Sequence, residues 1–311
     1  MNLEPRTANP IHAMAKTTTK KHKLKPVTPL PIGMLVRLGN DPLEAFERVQ
    51  STGFKICQLA CPPDDYLFGE NAENLTRKTR TAMKKNGIQV HAVFLSFKNQ
   101  VWNKTQGPGT VGFMPEKTRA PRMARACMIA NWANKIGVKT LIAHVGFIPP
   151  NTQCAAYKDI ATALRAFVEF CESNGQIFLF ETGQETVAVL KQVLLDIGRP
   201  NIGVNLDPAN LLLYGMDDPL LAVKELHPWI KGVHAKDGCR PVKDGDMGVE
   251  TPLGDGQVDF PRLMEELRRH GYRGPMIIER EITGPQQQKD ILKAKKILEN
   301  INNGYEKNNQ T

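Results

Sequence analysis

From residue 31 onward one unit recurs eight times: a short apolar run, then a longer segment with apolar residues at helical spacing. The short runs span 31–36, 55–60, 88–95, 138–145, 177–181, 202–207, 230–235 and 275–280. The helical segments lie near 42–52, 71–86, 117–136, 154–174, 184–197, 217–227, 259–270 and 287–302. Within 154–174, Tyr157, Ile160, Leu164, Val168 and Cys171 form one apolar stripe, as Val187, Leu190, Leu194 and Ile197 do in the next segment. Gly53, Gly87, Gly137, Gly175, Gly198 and Gly271 follow helical segments, where a left-handed C-cap suits glycine. Eight strand-then-helix units, with no second domain's worth of sequence left over, predict an α/β fold, a (β/α)8 TIM barrel over 29–303. A doubly wound sheet would carry a glycine-rich phosphate turn after an early strand, and the sequence has none.

The net charge of +9 first suggests a nucleic-acid partner, but its distribution weakens that inference. Residues 1–28 hold six basic residues against Glu4 and so account for +5; the other +4 is spread over a whole domain. The Lys16 to Lys25 run reads as a disordered basic tail, and 304–311 as a polar C-terminal tail. No apolar run approaches the ~20 residues that span a bilayer. The N-terminus lacks the apolar stretch and cleavage site of a secretory signal. Six cysteines, scattered without CxxC pairs, argue for reduced thiols. The expectation is a cytoplasmic protein with neither nucleic acid nor membrane as partner.

Reactive side chains of such barrels gather at the C-terminal ends of the strands. The fifth apolar run ends in Glu181, the sixth in Asp207, the seventh carries His234 and the eighth Glu279. Burying three carboxylates beside one imidazole is expensive unless a cation neutralises them. The set therefore predicts one divalent metal; oxygen-rich ligation with a single histidine suits Mn²⁺ first, with Mg²⁺, Co²⁺ or Zn²⁺ as alternatives. An ion-pair network with Lys236 or Arg280 is the competing reading of the same residues. After the third run, 96–116 forms a long loop with Trp102, Phe113 and several glycines. A loop of that length on the reactive face reads as a substrate lid, with Trp102 a substrate-binding candidate; the competing reading is a surface excursion whose Trp102 packs down.

The sequence resembles the sugar phosphate isomerase/epimerase family of xylose isomerase-like barrels over about residues 30–300. The resembling stretches are Glu181-Thr-Gly-Gln-Glu185, Asn205-Leu-Asp-Pro-Ala-Asn210, Val233-His-Ala-Lys-Asp237, Leu253-Gly-Asp-Gly-Gln-Val-Asp-Phe260 and Ile277-Ile-Glu-Arg280. The resemblance implies that Glu181, Asp207, His234 and Glu279 bind the metal and that Glu181 and Glu279 also exchange the substrate proton. A metal on the carbonyl and adjacent hydroxyl oxygens stabilises an enediolate, which makes the neighbouring C–H acidic enough for a carboxylate. Return of the proton to the opposite face is epimerisation; delivery to the next carbon is aldose–ketose isomerisation. The implied substrate is a small ketose or keto-sugar, and barrels of this kind associate, so a homo-oligomer is expected.

Supporting residues keep two readings each. Glu185 bridges a substrate hydroxyl or caps its helix; His144 binds a hydroxyl or is structural, and His91 carries a weaker case. Asn210 joins the substrate-binding candidates. Lys236 and Arg240 contact sugar hydroxyls or a carboxylate, or are simply solvated. Gly254 and Gly256 leave amides for an anion or form plain turns. Inosose dehydratase-like lyases share the proton abstraction and expel water instead. Apurinic-site endonucleases of the same superfamily match His91, His144 and the four ligands. They also carry a histidine where this chain has Asn210, and a later Asp-x-His pair that is missing here, since 235–269 contain no histidine. A non-catalytic sugar-binding barrel is the remaining alternative.

Overall fold

In the computed structural model of the chain, residues 28–243 and 245–308 are described, so the basic stretch read in 1–28 lies outside them except for Thr28. Strands and helices follow in chain order as β1 (Ile32–Val36), α1 (Pro42–Ser51), β2 (Ile56–Leu59), α2 (Ala72–Asn86), β3 (Gln89–Leu95) and α3 (Glu116–Lys135). Next come β4 (Thr140–Ala143), α4 (Ala155–Ser173), β5 (Ile177–Glu181), α5 (Val187–Ile197), β6 (Ile202–Leu206), α6 (Pro208–Leu213) and α7 (Pro219–Leu226). The last are β7 (Ile230–Ala235), β8 (Asp237–Cys239), β9 (Val249–Thr251), α8 (Phe260–Arg269), β10 (Met276–Ile278) and α9 (Pro285–Asn308). β1 to β7 and β10 close into one parallel barrel, a (β/α)8 TIM barrel, while β8 and β9 pair as a small antiparallel ribbon. Among the described residues no helix is long and apolar enough to cross a membrane.

The two-residue period of a strand decides what faces the barrel interior. Phe178 and Phe180 of β5, Val204 and Leu206 of β6, Val233 and Ala235 of β7, and Met276 and Ile278 of β10 join the core shared with the helices. Their alternates point inward: Leu179 and Glu181, Gly203 and Asn205, Gly232 and His234, Ile277 and then Glu279. Ala92, Ile142 and Leu179 form an apolar layer inside the barrel, and the polar residues lie in the same interior. The register between β2 and β3 shifts at Cys57 and Gln58, leaving His91 opposite no partner.

Two elements escaped the periodicity. α6 has six residues, too few for a helical stripe, and the strand before it stops at Leu206 because Asp207 turns to cap that helix. The β8–β9 ribbon is three residues a strand. The final helix, read as ending near 302 with a tail from 304, continues to Asn308.

Candidate active site

Glu181, Asp207, His234 and Glu279 converge at the barrel mouth, each offering one ligand atom, all within 4.8 Å of one another. His234 Nδ1 lies 2.9 Å from Glu181 Oε1, 3.3 Å from Glu279 Oε2 and 3.6 Å from Asp207 Oδ2. A cation about 2.1 Å from each donor separates neighbouring donors by about 3.0–3.6 Å at angles of about 90–120°. Glu181 Oε1, Asp207 Oδ2 and His234 Nδ1 are buried, and none makes a hydrogen bond. Spacing, burial and orphaned lone pairs together fit a divalent metal.

In Glu181, Asp207 and His234 a second atom is engaged, which aims the free one. Asp207 Oδ1 accepts from Asn210 N at 2.9 Å as the N-cap of α6, leaving Oδ2 to the cluster. Asn205 Nδ2 donates to Glu181 Oε2 at 2.6 Å. Gln58 Oε1 stands 3.3 Å from His234 Nε2, an acceptor that keeps a ring hydrogen there and turns Nδ1 inward. Thr182 Oγ1 donates to Asp207 O and accepts from Asp207 N, tying the ends of β5 and β6. Sequence reading missed Gln58, Asn205 and Thr182. Asn205 was discoverable, because two residues before Asp207 on one strand means the same face.

Burial pushes the Glu181 carboxyl up to about 7, although His234 opposes it. Burial also disfavours charge on Glu279, yet Lys236 and His234 outweigh it and hold this carboxyl below its usual range. For His234, burial again works against charge, but Glu181 and Glu279 prevail and push its pKa well above the ordinary value. A proton on the imidazole and a cation therefore compete for one place.

Lys236 is buried rather than solvated. Its Nζ lies 3.4 Å from Glu279 Oε2, 3.8 Å from Asp207 Oδ2 and 2.7 Å from Glu281 Oε1, and it donates to Asn210 Oδ1 at 3.1 Å. The ion-pair reading thus holds for Lys236 on the cluster's flank. Arg280 instead bonds Glu250 and Asp290.

Above the cluster opens a cavity of about 740 Å³ whose lining includes Glu279, Asn210, His144 and Trp102. Of the four, Glu279 reaches it; Glu181, Asp207 and His234 lie beneath. His144 Nδ1 sits 3.0 Å from Gln184 Oε1, and burial drives its pKa down to about 3. His91 faces the interior with Nε2 unpaired, and burial lowers its pKa to about 4. Glu185 is buried away from the lining; burial pushes its pKa up to about 8. Its helix is capped by Thr186 instead.

One expectation needs correction, and the glycine pair and the long loop gain detail. Arg240 does not line the cavity: it is exposed and its Nη2 donates to Asp217 O at 3.0 Å. The Gly254 and Gly256 amides are not free for an anion, because both donate to Asp237 Oδ2, at 2.9 and 3.1 Å. A Cβ on Gly256 would meet Asp237 Oδ1 at 2.1 Å, so only glycine admits that carboxylate. In the long loop, Trp102 is 44% exposed over the mouth, but Phe113 is buried against Phe97, Phe167 and Phe178. The loop is therefore anchored at its far end by Phe113, with Trp102 standing at the mouth.

A family model described as xylose isomerase-like TIM barrel matches residues 46–301. The chain belongs to that family. This xylose isomerase-like barrel is similar to a xylose isomerase domain protein from Planctomyces limnophilus, with a TM-score of 0.82 and 29% identity over 88% of this chain and 98% of the other. It is 32% identical over 149 residues to 2-epi-5-epi-valiolone 7-phosphate 2-epimerase from Actinoplanes sp., 48% of this chain and 52% of the relative. Inosose dehydratase from Lacticaseibacillus casei is 28% identical over 162 residues, 46% of this chain and 54% of the relative. The chain matches these two relatives over about half their length.

Proposed function

We propose that the chain is a divalent-metal-dependent sugar isomerase or epimerase, acting on a ketose or keto-sugar by proton abstraction beside the carbonyl. The observation that carries this reading is the convergence of Glu181, Asp207, His234 and Glu279, with three orphaned, buried atoms beneath the mouth cavity that Glu279 lines. These four residues would hold the metal, and their oxygen-rich set favours Mn²⁺, with Mg²⁺, Co²⁺ or Zn²⁺ as alternatives. When bound, such a cation supplies charge stabilisation to adjacent carbonyl and hydroxyl oxygens of a sugar.

The chain's own groups supply the proton transfer. Glu279, ionised beside Lys236 and open to the cavity, takes the proton from the carbon next to the carbonyl. Glu181 returns a proton from a second direction, its carboxyl oriented by Asn205. His144, Asn210 and Trp102 line the cavity and orient the sugar. Lys236 acts from beneath, positioning Glu279 and Asn210.

A lyase is the second reading, favoured by the inosose dehydratase alignment. Product mass separates the two, since elimination removes one water. The primary test is metal content by mass spectrometry for the wild type and Asp207→Ala, followed by ketose C–H exchange in D₂O. About one equivalent of metal in wild type, lost in the variant, with exchange dependent on that metal, is the expected result. A protein that stays metal-free after Mn²⁺ or Co²⁺ incubation would reduce the cluster to an ion-pair network.

A further inference from the structure

The mouth cavity encloses about 740 Å³, whereas the ~12 heavy atoms of a hexose fill only about 200 Å³ at interior packing density. The surplus space has a definite lining. A wall of rings runs from the buried cluster toward solvent. His234 and Phe94 have ring centroids 6.1 Å apart, Phe94 and His144 5.6 Å, and His144 and Trp102 4.8 Å. Its inner end is fully buried and its outer end, Trp102, is exposed over the mouth. Leu38, Pro63 and Met247 add apolar lining.

The same cavity is poorly equipped for a phosphate. Among the described residues Arg37 is the single cationic side chain of its lining, which also holds Glu250, Glu279 and Glu281. The nearby Gly254 and Gly256 amides are taken by Asp237. Trp102, by contrast, stands on a loop fixed from below: Gly112 N donates to Gln100 Oε1 at 2.7 Å, and Arg122 Nη1 donates to Gly112 O at 2.6 Å. A flat ring presented on an anchored loop binds a second ring with little further ordering.

We propose that the outer part of the cavity is a subsite for an uncharged second ring stacked on Trp102. The substrate is then a keto-sugar bearing such a ring rather than a free or phosphorylated monosaccharide. This rests on the reading of the cluster as a sugar site.

The test is titration calorimetry of the Mn²⁺-incubated protein with methyl and phenyl β-glycosides of glucose, galactose and mannose, and with glucose and glucose 6-phosphate. For at least one sugar the phenyl glycoside is expected to bind about tenfold tighter than the methyl glycoside. Trp102→Ala should bring that ratio close to one, and Trp102→Phe, which keeps a flat ring, should restore most of it. Equal methyl and phenyl affinities, absence of binding by all six glycosides, a ratio that survives Trp102→Ala, or tighter binding of the 6-phosphate than of glucose would each overturn the subsite. Metal content of the same preparation reads the cluster separately: a metal-free protein that keeps the Trp102-dependent phenyl preference would sink the metal reading and leave the subsite standing.

Discussion

Glu181, Asp207 and His234 each present one free atom to the cluster because the other polar side-chain atom is already engaged, and that division of labour makes single substitutions informative. Glu279→Gln keeps the side chain's volume but removes an anionic oxygen facing both His234 and Lys236. The variant should fold, as judged by circular dichroism, and lose C–H exchange of its ketose by about a thousandfold; near-normal turnover would defeat the mechanism. His144 gives a pH signature. Burial holds its folded pKa near 3, below an unfolded value of about 6.5. Between those values the unfolded chain binds the extra proton, so stability rises with pH and is lost as pH falls. His144→Gln removes that dependence. Relative to wild type it should gain at most about 1.4 kcal/mol per pH unit below pH 6.5, measured by urea unfolding of the metal-free protein.

At the scale of elements, the segment after β7 is organised by one buried carboxylate. Asp237 Oδ1 accepts from Gly238 N and Val258 N, and Oδ2 from Gly254 N and Gly256 N, at 2.8 to 3.1 Å. That bond set pins the loop between β9 and α8 against the β8–β9 ribbon, beside the mouth. Asp237→Ala leaves buried amides without acceptors and should destabilise the protein by about 2–4 kcal/mol. Limited proteolysis should then cut first within 252–258; cleavage unchanged from wild type would mean the loop is held by something else. The same carboxylate decides between the two readings of the glycine pair: the amides do face an anion, and that anion belongs to the chain.

For the whole molecule, four strands and their cluster converge on one point, so a metal there ties together the C-terminal half of the barrel. Ligand binding to the native state alone stabilises by about 2.7 kcal/mol at a hundredfold excess over Kd, worth roughly 5 °C in Tm for a barrel of this size. Removal of metal with EDTA should lower Tm by that order, and the shift should vanish in Asp207→Ala. An unchanged Tm on chelation, in a preparation shown to contain metal, would place the metal elsewhere.

Eight repeats of apolar run and amphipathic segment were enough to specify the barrel, because a parallel strand buried on both sides and a helix with one apolar face leave few other ways to close. The meeting of Glu181, Asp207, His234 and Glu279 at one rim was also readable, since the strand ends of a barrel share it. Which other residues reach that rim was not readable. Lys236 and Arg240 lie four residues apart, yet one is buried against Glu279 and the other is exposed on Asp217. Gly254 and Gly256 leave free amides and a plain turn equally open until Asp237 is found bonded to both. Gln58 reaches His234 across 176 residues of chain. Local periodicity records only which face a side chain occupies; the partner on that face is supplied by another strand, and only barrel closure chooses it.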